Sequence, residues 1–285
     1  MLTLVVKLDE TGRPIDVRVD SAVSSSTREA NMHKLQQVRR VAQRAILYSR
    51  IRMELMRELV AKHTIEGEPN NFNVDFEAGE ISFCDGRLRG RAELIASIAI
   101  EPATVLWGFA PFFSQGHGRD QAQRIRTFGA WNNLDELTRE EVPHGIPDGP
   151  EQFNEFLILA HDIGAVGVYA CGPEYDYVTF PNHQTGSHVV LLVSELTHRV
   201  PPLTLLDVYV RLSRYTEYID DLEWSLGGLV EMMPGWRLEK LPAQHERQEV
   251  FRVFDDRRKS RTLLVDRNQF GQPEYVRVEG LHDAD

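Results

Sequence analysis

Cysteine is scarce in this sequence: Cys84 and Cys171 are the only two in 285 residues. They are far apart and fit no spacing pattern, so a disulfide framework is excluded. Buried thiols in a reducing compartment are expected instead. A zinc site needs about four Cys or His ligands gathered together, and the sequence clusters none. No metal and no cofactor is therefore expected. Long apolar runs are also missing. Stretches such as residues 189–193 fall far short of the ~20 residues that cross a bilayer. Positive charge is not in excess: the formal net charge is −11, which argues against general nucleic-acid binding. Residues 1–7 carry no basic leader and no small-residue cleavage site, so a cytoplasmic, non-membrane protein is expected. Catalytic signatures are absent too. No Gly-x-Ser-x-Gly turn occurs, and no phosphate loop with its lysine.

What remains has the composition of an ordinary folded protein, 42% hydrophobic and 26% charged. A chain of this length buries a sizeable core without staples. The charge is unevenly spread. Residues 28–62 hold nine Lys or Arg against three acids, a local +6 that leaves −17 for the rest.

Residues 3–8 and 15–19 read as strands around a turn containing Gly12 and Pro14, hence a hairpin. Ser26-Thr27-Arg28-Glu29 fits a capping box. Leu35, Val38, Ala42, Ala45, Ile46, Met53, Met56 and Val60 follow at helical steps, with no Gly or Pro between 27 and 66. This predicts one helix over 27–63, ~55 Å long, spanning two lobes or packing on a second chain. Residues 72–110 read as an antiparallel meander. Helices are expected over 119–129, 133–142 and 150–161, the last capped by Asp148. Strands are expected over 166–171, 175–180 and 188–196. Residues 201–226 read as a second long apolar helix broken at Gly227-Gly228, before four strands near 236–241, 250–254, 261–265 and 275–278. Helices and strands are segregated more than alternated. The expected class is α+β, with antiparallel sheets and two long helices.

The ends of the chain echo one another. Residues 4–19 and 263–278 share Leu, Val, Gly, Pro, Val, Arg and Val in register. Shared turn chemistry alone gives some likeness between hairpins. The alternative is two related hairpins in one sheet. On that reading residues 1–65 plus 197–285 form a terminal lobe with the long helices, and residues 66–196 form an inserted β-rich domain.

The middle segment carries Val74-Asp75-Phe76, Ala78-Gly79-Glu80-Ile81-Ser82-Phe83, Ile95-Ala96-Ser97, Thr104-Val105-Leu106-Trp107-Gly108-Phe109-Ala110, Arg126-Thr127-Phe128-Gly129 and Val166-Gly167-Val168-Tyr169 in that order. Over residues 66–196 this resembles a bacterial family known only as a domain of unknown function. Its members carry an aspartate-bearing strand, a tG.l.F hairpin, a WLWAWAN-type strand and an R.lGe helix. The tryptophan-rich strand is reduced here to one Trp, and Pro111 stands where the family has Asn. The resemblance implies no activity, cofactor or catalytic residue.

The candidate residues are few. Trp107, Arg126, Tyr169 and His161 are the expected lining of a ligand site. Arg39, Arg40, Arg44 and Arg50 are the expected partner-binding residues of the basic helix. They meet either acids of this chain or a second copy, or phosphates of a nucleic acid. With −17 elsewhere, the first needs no outside polyanion. Trp107, Phe109, Phe112 and Phe113 read as core or as an apolar rim. His183 and His188 flank a turn that a metal could bridge, but no third His is nearby and a polar turn with surface histidines is the favoured reading. Gly116-His117-Gly118 could hold an anion or form a loop. The expected function is non-catalytic binding of a protein partner, of itself, or of a small ligand in the middle lobe. The alternatives are a hydrolase using His161, His183 and His188, and a nucleic-acid binder using residues 27–63.

Overall fold

The computed structural model describes residues 3–8, 14–20, 35–65, 72–113, 120–146, 152–182, 187–269 and 273–279. The expected caps at Ser26 and Asp148, the loop at 116–118 and His183 lie outside them. The chain is an α+β protein, and among the described residues every strand pair is antiparallel. It divides into two compact units, residues 31–202 and residues 1–30 with 203–285.

The 31–202 unit is built on helix α1, Gln36–His63, about 42 Å long. It was expected to belong with the terminal segments. Instead it packs along α3, Gln152–Cys171, inside this unit. Its apolar positions explain why. Val38, Ala42, Ala45 and Ile46 are buried, but so are Leu47, Ile51 and Leu55 on other faces. The helix therefore needs cover on several sides, which one stripe of a partner helix does not supply. Its first turn has no side-chain cap of its own. Glu136, about a hundred positions downstream, accepts from the amides of Gln37 and Val38, both at 2.9 Å. The carboxylate thus satisfies amides left bare at the helix start and opposes the positive end of its dipole.

The sheet of this unit runs β3 (Phe72–Asp75), β4 (Glu80–Phe83), β5 (Leu88–Ala99), β6 (Thr104–Trp107) and β7 (Glu141–Pro143). On the other side of the long β5 lies β9 (Ser187–Ser194), and β8 (Asp176–Asn182) pairs with β9. Arg91 is shared between Glu80 and Ser194, and Ala96 between Trp107 and Val190. β9 is buried over nearly its whole length, which explains its unbroken apolar run.

Two expectations fail here. Residues 166–171 continue α3 rather than forming a strand. Gly164 lies so close to the Tyr177 ring that a Cβ would overlap it, and a Cβ on Gly167 would come within 2.7 Å of Ile95 Cδ1. These glycines let the helix settle onto the sheet, and the packing overrides the strand preference of Val166 and Val168. Residues 133–142 are not helical. Helix α2, Asp120–Trp131, stops where Asn133 takes a positive φ of 54° and Leu134 N donates to Gly129 O at 2.8 Å. A 3-10 turn at Asp135–Leu137 and then β7 follow.

In the other unit the long helix expected over 201–226 is two helices, α4 (Leu205–Leu212) and α5 (Leu222–Met232). Thr204 and Asp207 form a capping box, and Asp221 accepts from Trp224 N at 3.1 Å. Each helix thus has its own start signal. Gly227 and Gly228 break nothing, since α5 runs through them. Strands β10 (Arg237–Leu241), β11 (Gln248–Phe254), β12 (Ser260–Arg267) and β13 (Pro273–Glu279) form a meander. The hairpin of β1 (Thr3–Leu8) and β2 (Pro14–Asp20) lies with β2 beside β13.

The echo between the chain ends is structural. Leu4 pairs Val19 as Leu263 pairs Val278, and Lys7 pairs Asp16 as Asp266 pairs Tyr275. Both hairpins shift register at the corresponding place, between Lys7 and Leu8 and between Asp266 and Arg267. A shared irregularity is a stronger likeness than shared turn residues, because a bulge is a specific local insertion.

Candidate functional site

The polar chemistry of the 31–202 unit gathers where α1 meets α3 and the sheet. Arg39 on α1 donates from one nitrogen to both Asp162 oxygens on α3, at 3.0 and 3.1 Å. Both side chains are almost fully enclosed. Further along α1, Arg52 grips Asp176 at the start of β8, with Nε to Oδ1 at 3.1 Å and Nη2 to Oδ2 at 2.7 Å. Its remaining nitrogen donates to Pro201 O at 2.9 Å. Burial raises the Asp176 carboxyl, and the guanidinium opposes that rise. Tyr48, one turn before Arg52, donates to Pro173 O at 2.6 Å. Burial pushes its hydroxyl up to about 12, so it works as a donor and not as a base. The guanidinium fork suits this use, since it satisfies a buried carboxylate and backbone oxygens together.

His161 sits beside Asp162 on α3 and turns to the sheet, with Nδ1 2.9 Å from the Tyr177 hydroxyl. Burial lowers its pKa to about 3, with help from the nearby charges of Arg50 and Arg57. The imidazole is neutral at physiological pH. Tyr177 itself is raised by burial. Thr179 and His188 stand on the same sheet face as Tyr177 by register. Burial lowers the His188 pKa as well. Thr179 Oγ1 and His188 Nε2 have no hydrogen-bond partner among the described residues. Among those residues no three His, Cys, Asp or Glu side chains gather in one place.

The four expected ligand residues do not meet in one place. Trp107 is fully buried, its Nε1 donating to Glu136 O at 2.9 Å. Its ring stacks on Phe109, with centroids 6.2 Å apart, and the Arg126 guanidinium lies 5.1 Å from the Phe109 ring. Trp107 and Arg126 therefore share one aromatic neighbour. Tyr169 meets Phe128 edge-on at 5.8 Å, close to Arg126 in sequence. His161 lies eight residues before Tyr169 on α3, ~12 Å along the axis, and belongs to the Tyr177 cluster.

Of the four arginines expected to meet a partner, Arg39 is buried against this chain's own Asp162, Arg40 is exposed, and Arg44 and Arg50 are half-buried. Arg52, which reasoning from the sequence passed over, carries the other deep ion pair. Its spacing gave no signal, because Asp176 lies 124 positions away.

The outer surface has its own feature. Phe112 is 82% exposed and Trp131 81% exposed, one shortly before α2 and one at its end. Phe113 lies against Phe112, the rings 5.3 Å apart. No described helix is long and apolar enough to cross a membrane.

No curated protein and no solved structure matches the chain. Residues 39–196 match the profile of a family of unknown function, DUF6882. That span opens at Arg39 and closes just after β9, so it takes in both buried ion pairs and the whole seven-stranded sheet. It covers more than half of the chain, and the protein belongs to this family of unknown function.

Proposed function

We propose that the protein is a non-catalytic interaction module that associates with a second copy of itself through its exposed aromatic side chains, Phe112 and Trp131. The observation that carries this is the exposure of two large aromatic side chains on a unit whose two deep ion pairs are internal. Exposed Trp and Phe cost solvation and are the residue types that anchor interfaces. Arg39 and Arg52 are held by Asp162 and Asp176 of the same chain, which speaks against α1 as a phosphate-binding rod. His161 is neutral and engaged by Tyr177, and a base near pKa 3 is a poor proton acceptor at neutral pH. That weighs against a hydrolase centred on it. A second copy is the favoured partner because exposed aromatic side chains on one chain can pack against the same side chains of another across a two-fold axis.

Sedimentation velocity over a wide concentration range tests this. The wild type is expected to associate with increasing concentration. Trp131→Ser and Phe112→Ser, both on the surface, are expected to keep the fold and weaken association at least tenfold. A wild type that stays monomeric at every concentration overturns the proposal, and so does association untouched by both substitutions.

A further inference from the structure

The structure assigns a two-histidine site for a divalent first-row transition ion (Cu²⁺, Ni²⁺ or Zn²⁺) to His63 and His198. His63 is the last residue of α1, and His198 lies in the segment after β9. Both belong to the 31–202 unit. Their ring centroids are 4.5 Å apart with planes tilted by 49°. This spacing can be compared with what a shared ion requires. A metal–nitrogen bond of ~2.0–2.1 Å places an imidazole centroid ~3.2 Å from the ion. Two such rings at ~90–110° about the ion have centroids ~4.5–5.2 Å apart. The observed separation lies within that range.

The tautomer is fixed as metal binding needs it. His63 Nδ1 is 2.8 Å from Leu59 O. A carbonyl only accepts, so Nδ1 carries the hydrogen, and Nε2 of the neutral ring has a bare lone pair. A backbone carbonyl holding one nitrogen so that the other can ligate is a common outer support of metal-binding histidines. The position also suits a cation, since the C-terminal end of a helix carries partial negative charge.

Both rings sit on restrained backbone. Thr64, next to His63, donates to Val60 O at 3.1 Å. Thr197, next to His198, donates from its amide to Arg89 O at 2.7 Å and accepts from Arg89 N at 3.1 Å. Beyond His198, Arg52 holds Pro201 O. The backbone beneath both rings and the His63 ring itself are therefore held before any ion arrives, which lowers the cost of binding. His198 is exposed and His63 half-buried, so an ion has access. No third His, Cys, Asp or Glu joins them among the described residues. Water or an outside ligand fills the remaining positions, and imidazole nitrogen selects copper, nickel or zinc over magnesium or calcium.

Calorimetric titration of the full chain with CuCl₂, NiCl₂ and ZnCl₂ separately tests the assignment. The wild type is expected to take up one equivalent of at least one ion. His198→Ala is exposed and tolerable, and is expected to weaken binding at least tenfold. His63→Ala should do the same, while His245→Ala, in the other unit, should leave it unchanged. Electron paramagnetic resonance of the Cu²⁺ form should show two nitrogen couplings in the wild type and one in His198→Ala. If His63→Ala does not fold, His198→Ala decides alone. Absence of stoichiometric uptake by the wild type overturns the assignment, as does uptake that His198→Ala leaves unchanged.

Discussion

Arg39 and Asp162 are 123 positions apart in sequence and form one buried ion pair between α1 and α3. Removing one member of an ion pair enclosed to this degree leaves the other charge buried without the guanidinium–carboxylate contact that compensates its lost hydration.

Asp162→Ala is therefore expected to destabilise the protein by about 3–5 kcal/mol. Urea denaturation followed by tryptophan fluorescence measures this. The double variant Arg39→Met with Asp162→Ala should recover much of the loss, because no charge is then stranded. A double variant as unstable as the single one would show that shape, and not charge, sets the cost.

Glu136 caps α1 from a distant turn. Glu136→Ala is expected to cost about 1–2 kcal/mol, the usual range for a lost N-cap. Hydrogen exchange should show faster exchange at the Gln37 and Val38 amides and little change at the far end of the helix.

Gly164→Ala places a methyl group into the Tyr177 ring. Overpacking of this kind costs about 1–3 kcal/mol, against the small gain in helix propensity that Ala brings elsewhere. A variant more stable than the wild type in a melting experiment would mean that α3 can shift off the sheet without loss.

His161 gives a prediction with a sign. Its folded pKa, about 3, lies below the ordinary 6.5, so between these values the unfolded chain binds a proton that the folded chain does not. Stability should therefore rise with pH across this window and fall as pH drops below about 6.5. The slope from this one group is about 1.4 kcal/mol per pH unit. His161→Gln should flatten the dependence between pH 5 and 6.5. His188 pulls in the same direction through burial, so some slope should remain.

The sequence showed most strands and the long helix because local signals sufficed. Alternation marked β3 and β4, turn residues set off the longer β5 and β6, and an uninterrupted apolar period marked α1. The terminal hairpins could even be matched to each other residue by residue. The second half of α3 was hidden because it is apolar all round. A buried helix loses the polar face that reveals its period, and Val166 and Val168 then resemble a strand. The break between α4 and α5 was hidden behind continuous apolar spacing, although Thr204 with Asp207 was a readable start signal. Among the site residues, Trp107 is buried as the core reading of its aromatic neighbours expects, but its bond to Glu136 depends on a turn that no local pattern announces. Arg52 with Asp176, and His63 with His198, are pairs that only the folded chain brings together.

The remote cap has a bearing on how the chain acquires its shape. During synthesis α1 leaves the ribosome long before Glu136 does, and until then its leading amides have water for company. The first turn of the helix is secured only once the 3-10 turn at Asp135–Leu137 has docked, and Gln37 returns the favour by accepting from Glu136 N at 3.1 Å. Helix start and distant turn should thus be gained and lost together. A nascent chain stopped before residue 136 should carry a frayed α1, whatever helical tendency its own residues have.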